Sequence, residues 1–100
     1  MTTEASTTSC AELLRALADG TRLSVLRELQ DGPRTVAEIN EQLQLEQSLL
    51  SHHLRVLREH GLVSSERRGK GVLYRLTRDD DRAPGELDLG CCRLNFEDPA

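Results

Sequence analysis

Three cysteines stand at positions 10, 91 and 92, so two of them are adjacent near the end of the chain. Soft ions such as As(III) and Sb(III) prefer sulfur donors, and three thiolates in a pyramid satisfy As(III). Cys10 lies in the expected first turn of a helix, a position that favours the reactive thiolate form. The residue types therefore predict a three-thiolate site for As(III) or Sb(III) formed by Cys10, Cys91 and Cys92.

Other roles remain open for these cysteines. Oxidants or reactive sulfur would convert them to a disulfide, and a link to Cys10 is favoured because a disulfide between adjacent residues is strained. A soft divalent ion such as Cd(II), Pb(II) or Zn(II) would need an added oxygen or nitrogen ligand, for which Asp88 is the nearest candidate. The plainest alternative is that Cys10 only packs and the pair belongs to an inert tail. Because cytosolic thiols are normally reduced, the three cysteines indicate chemistry rather than a structural disulfide.

A second group of candidate residues lies in the middle of the chain. Residues 46–78 hold seven basic and three acidic side chains, a net charge of +4, although the whole chain carries −4. DNA affinity depends on the local field that faces the phosphates, so the total charge does not exclude DNA binding. The alternative is a scatter of solvated surface charges.

Four helices and a hairpin are predicted to position these residues. The spacing of Ser9 to Glu12 and of Thr35 to Glu38 is that of a capping box, and Asp19 is a further helix N-cap. The fourth helix is expected from near Glu46 to His60, ended by Gly61 in the left-handed conformation. A half-buried strand with alternating apolar residues follows, in a hairpin whose turn contains Gly69 and Gly71. The fold class is therefore mainly α with a small β-hairpin (α+β), a winged helix-turn-helix.

The outer face of the fourth helix is predicted to read DNA. If Leu50, Leu54 and Leu57 face the core, polar side chains occupy the opposite surface. The beginning of such a helix approaches base edges in the major groove, and the basic hairpin contacts phosphates or the minor groove. The residues predicted to read bases are Gln47, Ser48, Ser51 and His52. The residues predicted to contact the DNA phosphates or the minor groove are Arg55, Arg67, Arg68 and Lys70.

Catalysis and histidine metal binding are not expected. His52 and His53 point about 100° apart on a helix and cannot chelate one ion comfortably, so His53 is expected to be a half-buried packing residue beside Leu50 and Leu57. The polar residues form no acid/base set in a pocket, so no enzyme is predicted. A winged helix can also bind proteins, but the basic cluster favours DNA. Tyr74 is expected in the core, which must consist mostly of Leu, Val and Ala because only two aromatics are present.

The 100 residues fit one domain with attached segments. We expect a flexible N-terminal arm at 1–9, a winged helix-turn-helix DNA-binding domain at 10–78, and an acidic linker with a cysteine-containing tail at 79–100. Leu87, Leu89, Leu94 and Phe96 could dock the tail on the body. No apolar run approaches the roughly 20 residues of a membrane span, and no signal peptide is recognisable, so a cytoplasmic location without a membrane partner is expected.

Four segments together resemble the arsenic-repressor family of the ArsR/SmtB type: 17–23 (Leu-Ala-Asp-Gly-Thr-Arg-Leu), 51–58 (Ser-His-His-Leu-Arg-Val-Leu-Arg), 61–63 (Gly-Leu-Val) and 68–74 (Arg-Gly-Lys-Gly-Val-Leu-Tyr). The resemblance covers about residues 11–77. It implies a homodimeric repressor that occupies double-stranded operator DNA and leaves it when an inducer binds, with no organic cofactor and no small-molecule substrate.

The sequence also departs from the best-known patterns of that family. Its third helix has no Cys-x-Cys motif, no histidine follows His60, and no long C-terminal helix is expected. By resemblance, dimerisation would therefore rest on the first helix and the tail, and Cys10 could meet the cysteine pair within one subunit or across two.

Overall fold

The computed structural model describes residues 9–77 and 85–96, which form four helices and two small antiparallel sheets. The expected arm at 1–9 lies almost wholly outside these residues, as does most of the acidic linker that begins at Asp79. The helices are α1 (Cys10–Leu17), α2 (Gly20–Glu28), α3 (Val36–Leu43) and α4 (Gln47–Glu59), and a short 3-10 helix (Leu29–Asp31) follows α2. The strands are β1 (Arg34–Thr35), β2 (Val63–Arg68), β3 (Gly71–Leu76), β4 (Glu86–Asp88) and β5 (Arg93–Asn95). The predicted α+β winged helix-turn-helix is confirmed.

Local capping interactions fix where the helices begin. The Ser9 hydroxyl accepts a hydrogen bond from the backbone N–H of Glu12 at 3.1 Å, and the Glu12 carboxylate accepts one from the N–H of Ser9 at 3.3 Å. Thr35 and Glu38 repeat this capping box, and the Asp19 carboxylate caps α2. Each cap satisfies a backbone donor that has no partner inside the helix. The predicted starts of the first three helices are therefore confirmed.

The larger sheet forms the wing and ties it to the helices. Its strand order is β1-β3-β2, with β3 in the middle and both neighbours antiparallel to it. In the hairpin Val63 lies opposite Leu76 and Arg68 opposite Gly71. Strand β1 was not foreseen, because two residues are too few to establish an alternating pattern, and it exists through its pairing with Leu73 and Tyr74.

The core is built almost entirely from aliphatic side chains supplied by all four helices, the wing and the tail. Leu87 and Leu89 of the tail are buried at 2% and 7% exposure, and Leu94 and Phe96 pack against the same cluster. Nη2 of Arg27 on α2 donates to the carbonyl oxygen of Phe96 at 2.8 Å. The expected docking of the tail is confirmed, and the tail takes the form of the β4–β5 hairpin.

Within these two described stretches, no helix is both long enough and apolar enough to cross a membrane.

Candidate thiol cluster and nucleic-acid interface

The turn of the β4–β5 hairpin presents the adjacent cysteines. The N–H of Leu89 donates to the carbonyl oxygen of Cys92 at 2.9 Å and closes the turn. Gly90 has a φ of +90°, a conformation that glycine adopts without a steric penalty, and its N–H donates to the Asp88 carboxylate at 2.8 Å. The turn leaves Cys91 exposed and Cys92 half-buried.

The beginning of α1 places Cys10 against this turn. Cys10 and Cys91 form a disulfide with their Cα atoms 5.9 Å apart. The free Sγ of Cys92 lies 3.9 Å from the Cys10 sulfur and 4.0 Å from the Cys91 sulfur. All three sulfurs lie within 4.8 Å of one another. The structure therefore brings the three predicted ligands together inside one subunit.

Cytosolic thiols are normally reduced, but in this structure Cys10 and Cys91 are joined in a disulfide. The physical reason is proximity, because α1 and the hairpin turn are packed so that the two side chains reach disulfide distance. The pairing agrees with the argument that a disulfide would involve Cys10 rather than the two neighbours. Asp88 is not among the residues whose ligand atoms meet in this cluster, and one of its carboxylate oxygens accepts the N–H of Gly90. Among residues 9–77 and 85–96, the three cysteines are the group whose ligand atoms meet at metal-binding distance.

Helix α4 buries one face and exposes the other, as its periodicity predicted. Leu50, Leu54 and Leu57 are at most 2% exposed. The outward-facing side chains Gln47, Ser48, Ser51, His52 and Arg55 are all exposed. The structure thus leaves this entire predicted set of DNA contacts accessible.

A groove of about 510 Å³ runs along part of this outer face. It is lined by Ser48, Ser51, His52, Leu54, Arg55 and Arg58 of α4, by Val36 of α3 and by Tyr74 of β3. Arg58 was not among the predicted contacts, although its position three residues after Arg55 places it near the same face. Tyr74 is half-buried and packs against the core as expected, and it also forms part of the groove wall.

The wing exposes its three predicted basic residues, Arg67, Arg68 and Lys70. Glu66 accepts hydrogen bonds from Nε of Arg68 at 3.1 Å and from Nη2 of Arg75 at 3.3 Å. The hydrogen bond and charge of Arg68, assisted by Arg75, hold the pKa of Glu66 below its usual value. Glu66 therefore remains a carboxylate that offsets part of the positive charge of the wing.

His53 packs in the interior and is buried at 7% exposure, more deeply than the predicted half-buried position. Its Nδ1 atom lies 3.2 Å from Nη1 of Arg22 on α2. Burial lowers the pKa of His53, with the charges of Arg22 and His52 acting in the same direction and that of Asp19 opposing them. This contact between α2 and α4 was not anticipated, since nothing local relates two residues 31 positions apart.

A family model described as "Bacterial regulatory protein, arsR family" matches residues 19–65. The HTH-type transcriptional regulator NmtR of Mycobacterium tuberculosis is 46% identical over 66 residues, covering 66% of this chain and 55% of that protein. The transcriptional activator HlyU of Vibrio cholerae is 37% identical over 84 residues, covering 84% of this chain and 78% of HlyU. The chain spans about half the length of the first curated relatives that it matches.

HlyU is also among the similar solved structures. HlyU from Vibrio cholerae superimposes with a TM-score of 0.64 at 41% identity, covering 66% of this chain and 72% of HlyU. Another structure is of reduced HlyU, with a TM-score of 0.63. The homodimeric winged helix-turn-helix DNA-binding domain of Mb0332 from Mycobacterium bovis has a TM-score of 0.65 at 33% identity, covering 69% of this chain and 64% of that one.

Proposed function

Because the chain belongs to the arsR family of bacterial regulatory proteins, we propose that it is a cytoplasmic transcriptional repressor that binds double-stranded operator DNA as a homodimer. In this proposal As(III) or Sb(III), bound by Cys10, Cys91 and Cys92, releases the repressor from DNA. The named relatives are transcriptional regulators, in agreement with the expectation that the chain is not an enzyme.

The observation that carries the inducer proposal is the meeting of three sulfurs within 4.8 Å. Thiolates that share one ion at bond lengths of about 2.3 Å stand roughly 3.5 to 4 Å apart. The Cys92 sulfur already lies 3.9 Å and 4.0 Å from the other two. Loading an ion requires that the Cys10–Cys91 disulfide first take up two electrons and two protons from a cellular thiol reductant, which is oxidised to a disulfide.

The number of donors favours a trivalent ion with a lone pair. A pyramidal As(III) or Sb(III) centre needs three thiolates, whereas Zn(II) prefers four ligands in a tetrahedron. In the described parts of the chain, no carboxylate or imidazole joins the three sulfurs at that distance. Cd(II) and Zn(II), which would need a fourth ligand, are therefore the weaker alternatives, whereas Pb(II) also has a lone pair and is not separated from As(III) by the number of donors.

The DNA-binding part of the proposal rests on charge and exposure along α4 and the wing. Gln47, Ser48, Ser51 and His52 are exposed at the beginning of α4, where a reading helix approaches base edges. Arg55 on α4 and Arg67, Arg68 and Lys70 on the wing are also exposed and supply the cations that phosphates require.

Dimerisation would connect the sulfur cluster to the DNA-binding surface. The outer face of α1 is free of the core and carries Leu14, which is 44% exposed, together with the exposed residues Ala11 and Ala18. Cys10 is the first residue of the same helix. If two α1 helices meet in the dimer, an ion that repositions Cys10 also changes the separation of the two α4 helices. Such coupling between sites is typically worth about 1 to 3 kcal/mol.

A redox switch is the second candidate, and the observed disulfide favours it. Here the thiols of Cys10 and Cys91 would lose two electrons and two protons to a peroxide or reactive sulfur species, which is reduced. Forming the disulfide would reposition Cys10 on α1 and so change DNA affinity without a bound ion.

The test is the fluorescence anisotropy of operator DNA with reduced protein, titrated separately with arsenite, antimonite, Cd(II), Zn(II) and a mild peroxide. Release by stoichiometric arsenite or antimonite, lost in Cys91→Ser, supports the trivalent sensor. Release by peroxide alone establishes the redox candidate in its place. If DNA affinity is insensitive to salt and to the basic residues, the chain is an interaction module and the DNA proposal fails.

A further inference from the structure

The side chain of Arg22 holds the last turn of α1. Its Nε atom donates to the carbonyl oxygen of Ala16 at 2.6 Å. The last four carbonyl groups of a helix have no N–H partner within the helix. A cation that donates to one of them therefore fixes the helix end. Arg22 is itself anchored, because its backbone N–H donates to the Asp19 carboxylate at 3.0 Å and its Nη2 atom lies 3.9 Å from the same carboxylate.

The same guanidinium reaches α4. Nη1 of Arg22 lies 3.2 Å from Nδ1 of His53. A guanidinium can only donate, so Nδ1 must accept and the proton of the neutral ring resides on Nε2. Burial, which lowers the pKa of His53, also favours this neutral form. One side chain thus makes polar contacts with both α1 and α4.

The two ends of this connection are the two sites of the proposed function. Helix α1 begins at Cys10 in the sulfur cluster and, at eight residues, is a rigid rod about 12 Å long. Its far end is held by Arg22. The buried His53 directly follows the exposed His52, one of the predicted base-reading residues, and their ring centroids are 5.4 Å apart. A tilt of α1 at Cys10 would therefore move the Ala16 carbonyl and the Arg22 side chain bound to it. Arg22 would in turn pull on α4 through its contact with His53.

We propose that Arg22 and His53 are positioning residues that transmit a change at Cys10, Cys91 and Cys92, whether oxidation or ion binding, to α4, the proposed DNA-recognition helix. The inference rests on the proposed function and specifies how it is regulated within one subunit. A purely structural role for the pair would weaken DNA binding equally in the free and arsenite-bound states. A transmitting role instead changes the ratio of the two affinities.

Two substitutions at His53 separate these roles. His53→Asn keeps an acceptor, since its amide oxygen takes nearly the place of Nδ1, whereas His53→Leu fills similar space without one. Arg22→Lys is a second test, because a single ammonium replaces the planar fork that contacts Ala16 and His53 together. None of these residues belongs to the proposed ion site or to the proposed DNA contacts.

The first measurement is the DNA dissociation constant of the reduced protein with and without arsenite, with arsenite binding followed by its thiolate absorption. The native protein should show a ratio of about tenfold or more. His53→Asn should retain it within about twofold, and both His53→Leu and Arg22→Lys should bring it close to one while arsenite still binds. Equal ratios in the native protein, His53→Leu and Arg22→Lys would overturn the proposal. If His53→Leu does not fold, Arg22→Lys alone decides.

The second measurement does not depend on DNA. The ¹⁵N chemical shift of His53 Nδ1 is recorded in the reduced protein, in the oxidised protein and after arsenite addition. A shift that follows the state of the cluster supports the connection even if DNA is not released, an outcome that would reject only the proposed function. An unchanged Nδ1 signal in all three states would reject the connection itself.

Discussion

The free sulfur of Cys92 lies 3.9 Å from the sulfur of Cys10, although 82 positions separate the two residues in the chain. Cys10 is already bonded to Cys91, so Cys92 stands beside a disulfide in which it takes no part. An ion bound by three thiolates needs Cys92 as a ligand, whereas the Cys10–Cys91 disulfide forms without it. This residue consequently distinguishes the two candidate mechanisms.

Cys92→Ser should abolish release from DNA by arsenite while leaving release by peroxide intact, if both responses exist in the native protein. The serine hydroxyl is a poor ligand for a soft ion, so the trivalent centre loses one of its three donors. The measurement is DNA anisotropy with each inducer, and Cys91→Ser, which removes both the disulfide and a ligand, is the matched control. An undiminished arsenite response in Cys92→Ser would contradict the three-thiolate site.

Replacing Ser51 and His52 together by alanine should reduce operator affinity by at least tenfold and leave arsenite binding unchanged. Both side chains are exposed on α4, and each mismatched or lost base contact costs about 1 to 3 kcal/mol. Competition between operator and random DNA, followed by anisotropy, measures the loss of sequence preference. Lys70→Ala serves as the comparison, since loss of a phosphate contact should lower affinity for both DNAs and reduce the salt slope by about one. A double variant that kept its operator preference would exclude this surface from base readout.

Glu66→Gln should strengthen binding to DNA of any sequence and steepen its salt dependence. The carboxylate pairs with Arg68 and Arg75, and removing its charge leaves both cations available to phosphates. The slope of log affinity against log salt concentration, measured on random DNA, reports the change. Glu59→Gln, at an exposed position at the end of α4, provides a neutralised-acid control. A reduced affinity in Glu66→Gln would mean that Glu66 orients the arginines rather than offsetting their charge.

Stability should fall as the pH is lowered from about 7 through the ordinary histidine value of 6.5, and His53→Asn should remove part of that decline. Burial lowers the pKa of His53 in the folded protein. Between this lowered pKa and the ordinary pKa of the unfolded chain, the unfolded chain therefore binds more protons than the folded protein. Protonation therefore favours unfolding across this window, and the effect levels off below the folded pKa. Urea titrations at several pH values measure it. Asp19, whose pKa is lowered mainly by the backbone N–H of Arg22, titrates in a separate window below 3.8. Identical pH profiles for the two proteins would show that His53 does not contribute.

Leu87→Ala should lower the free energy of unfolding by about 2 to 5 kcal/mol, the range for truncating a buried leucine. Leu87 is 2% exposed and joins the tail to the common core. Urea denaturation at constant redox state gives the value. Leu49→Ala, at a site that is 42% exposed, should change it by less than about 1 kcal/mol. Equal small effects would mean that the tail contributes little to the stability of the domain.

The amino-acid sequence by itself determined the elements whose signals are local. Ser9 with Glu12 and Thr35 with Glu38 set helix starts, because a capping box needs only four neighbouring residues. Gly61, with φ of +75°, ends α4 because glycine adopts that conformation without strain. The spacing of leucines fixed which face of α4 is buried and thus which residues remain exposed.

Only the tertiary structure decided which distant residues meet. Cys10 lies beside Cys92 because α1 and the β4–β5 turn pack on one core, and Arg22 lies beside His53 because α2 and α4 do. Strand β1 likewise forms only because β3 offers it a partner. Such contacts depend on how several apolar faces pack together, and no spacing within one segment encodes that packing. The three cysteines were recognisable as a possible site from their chemistry, but their arrangement in one subunit, with two of them oxidised, came from the fold.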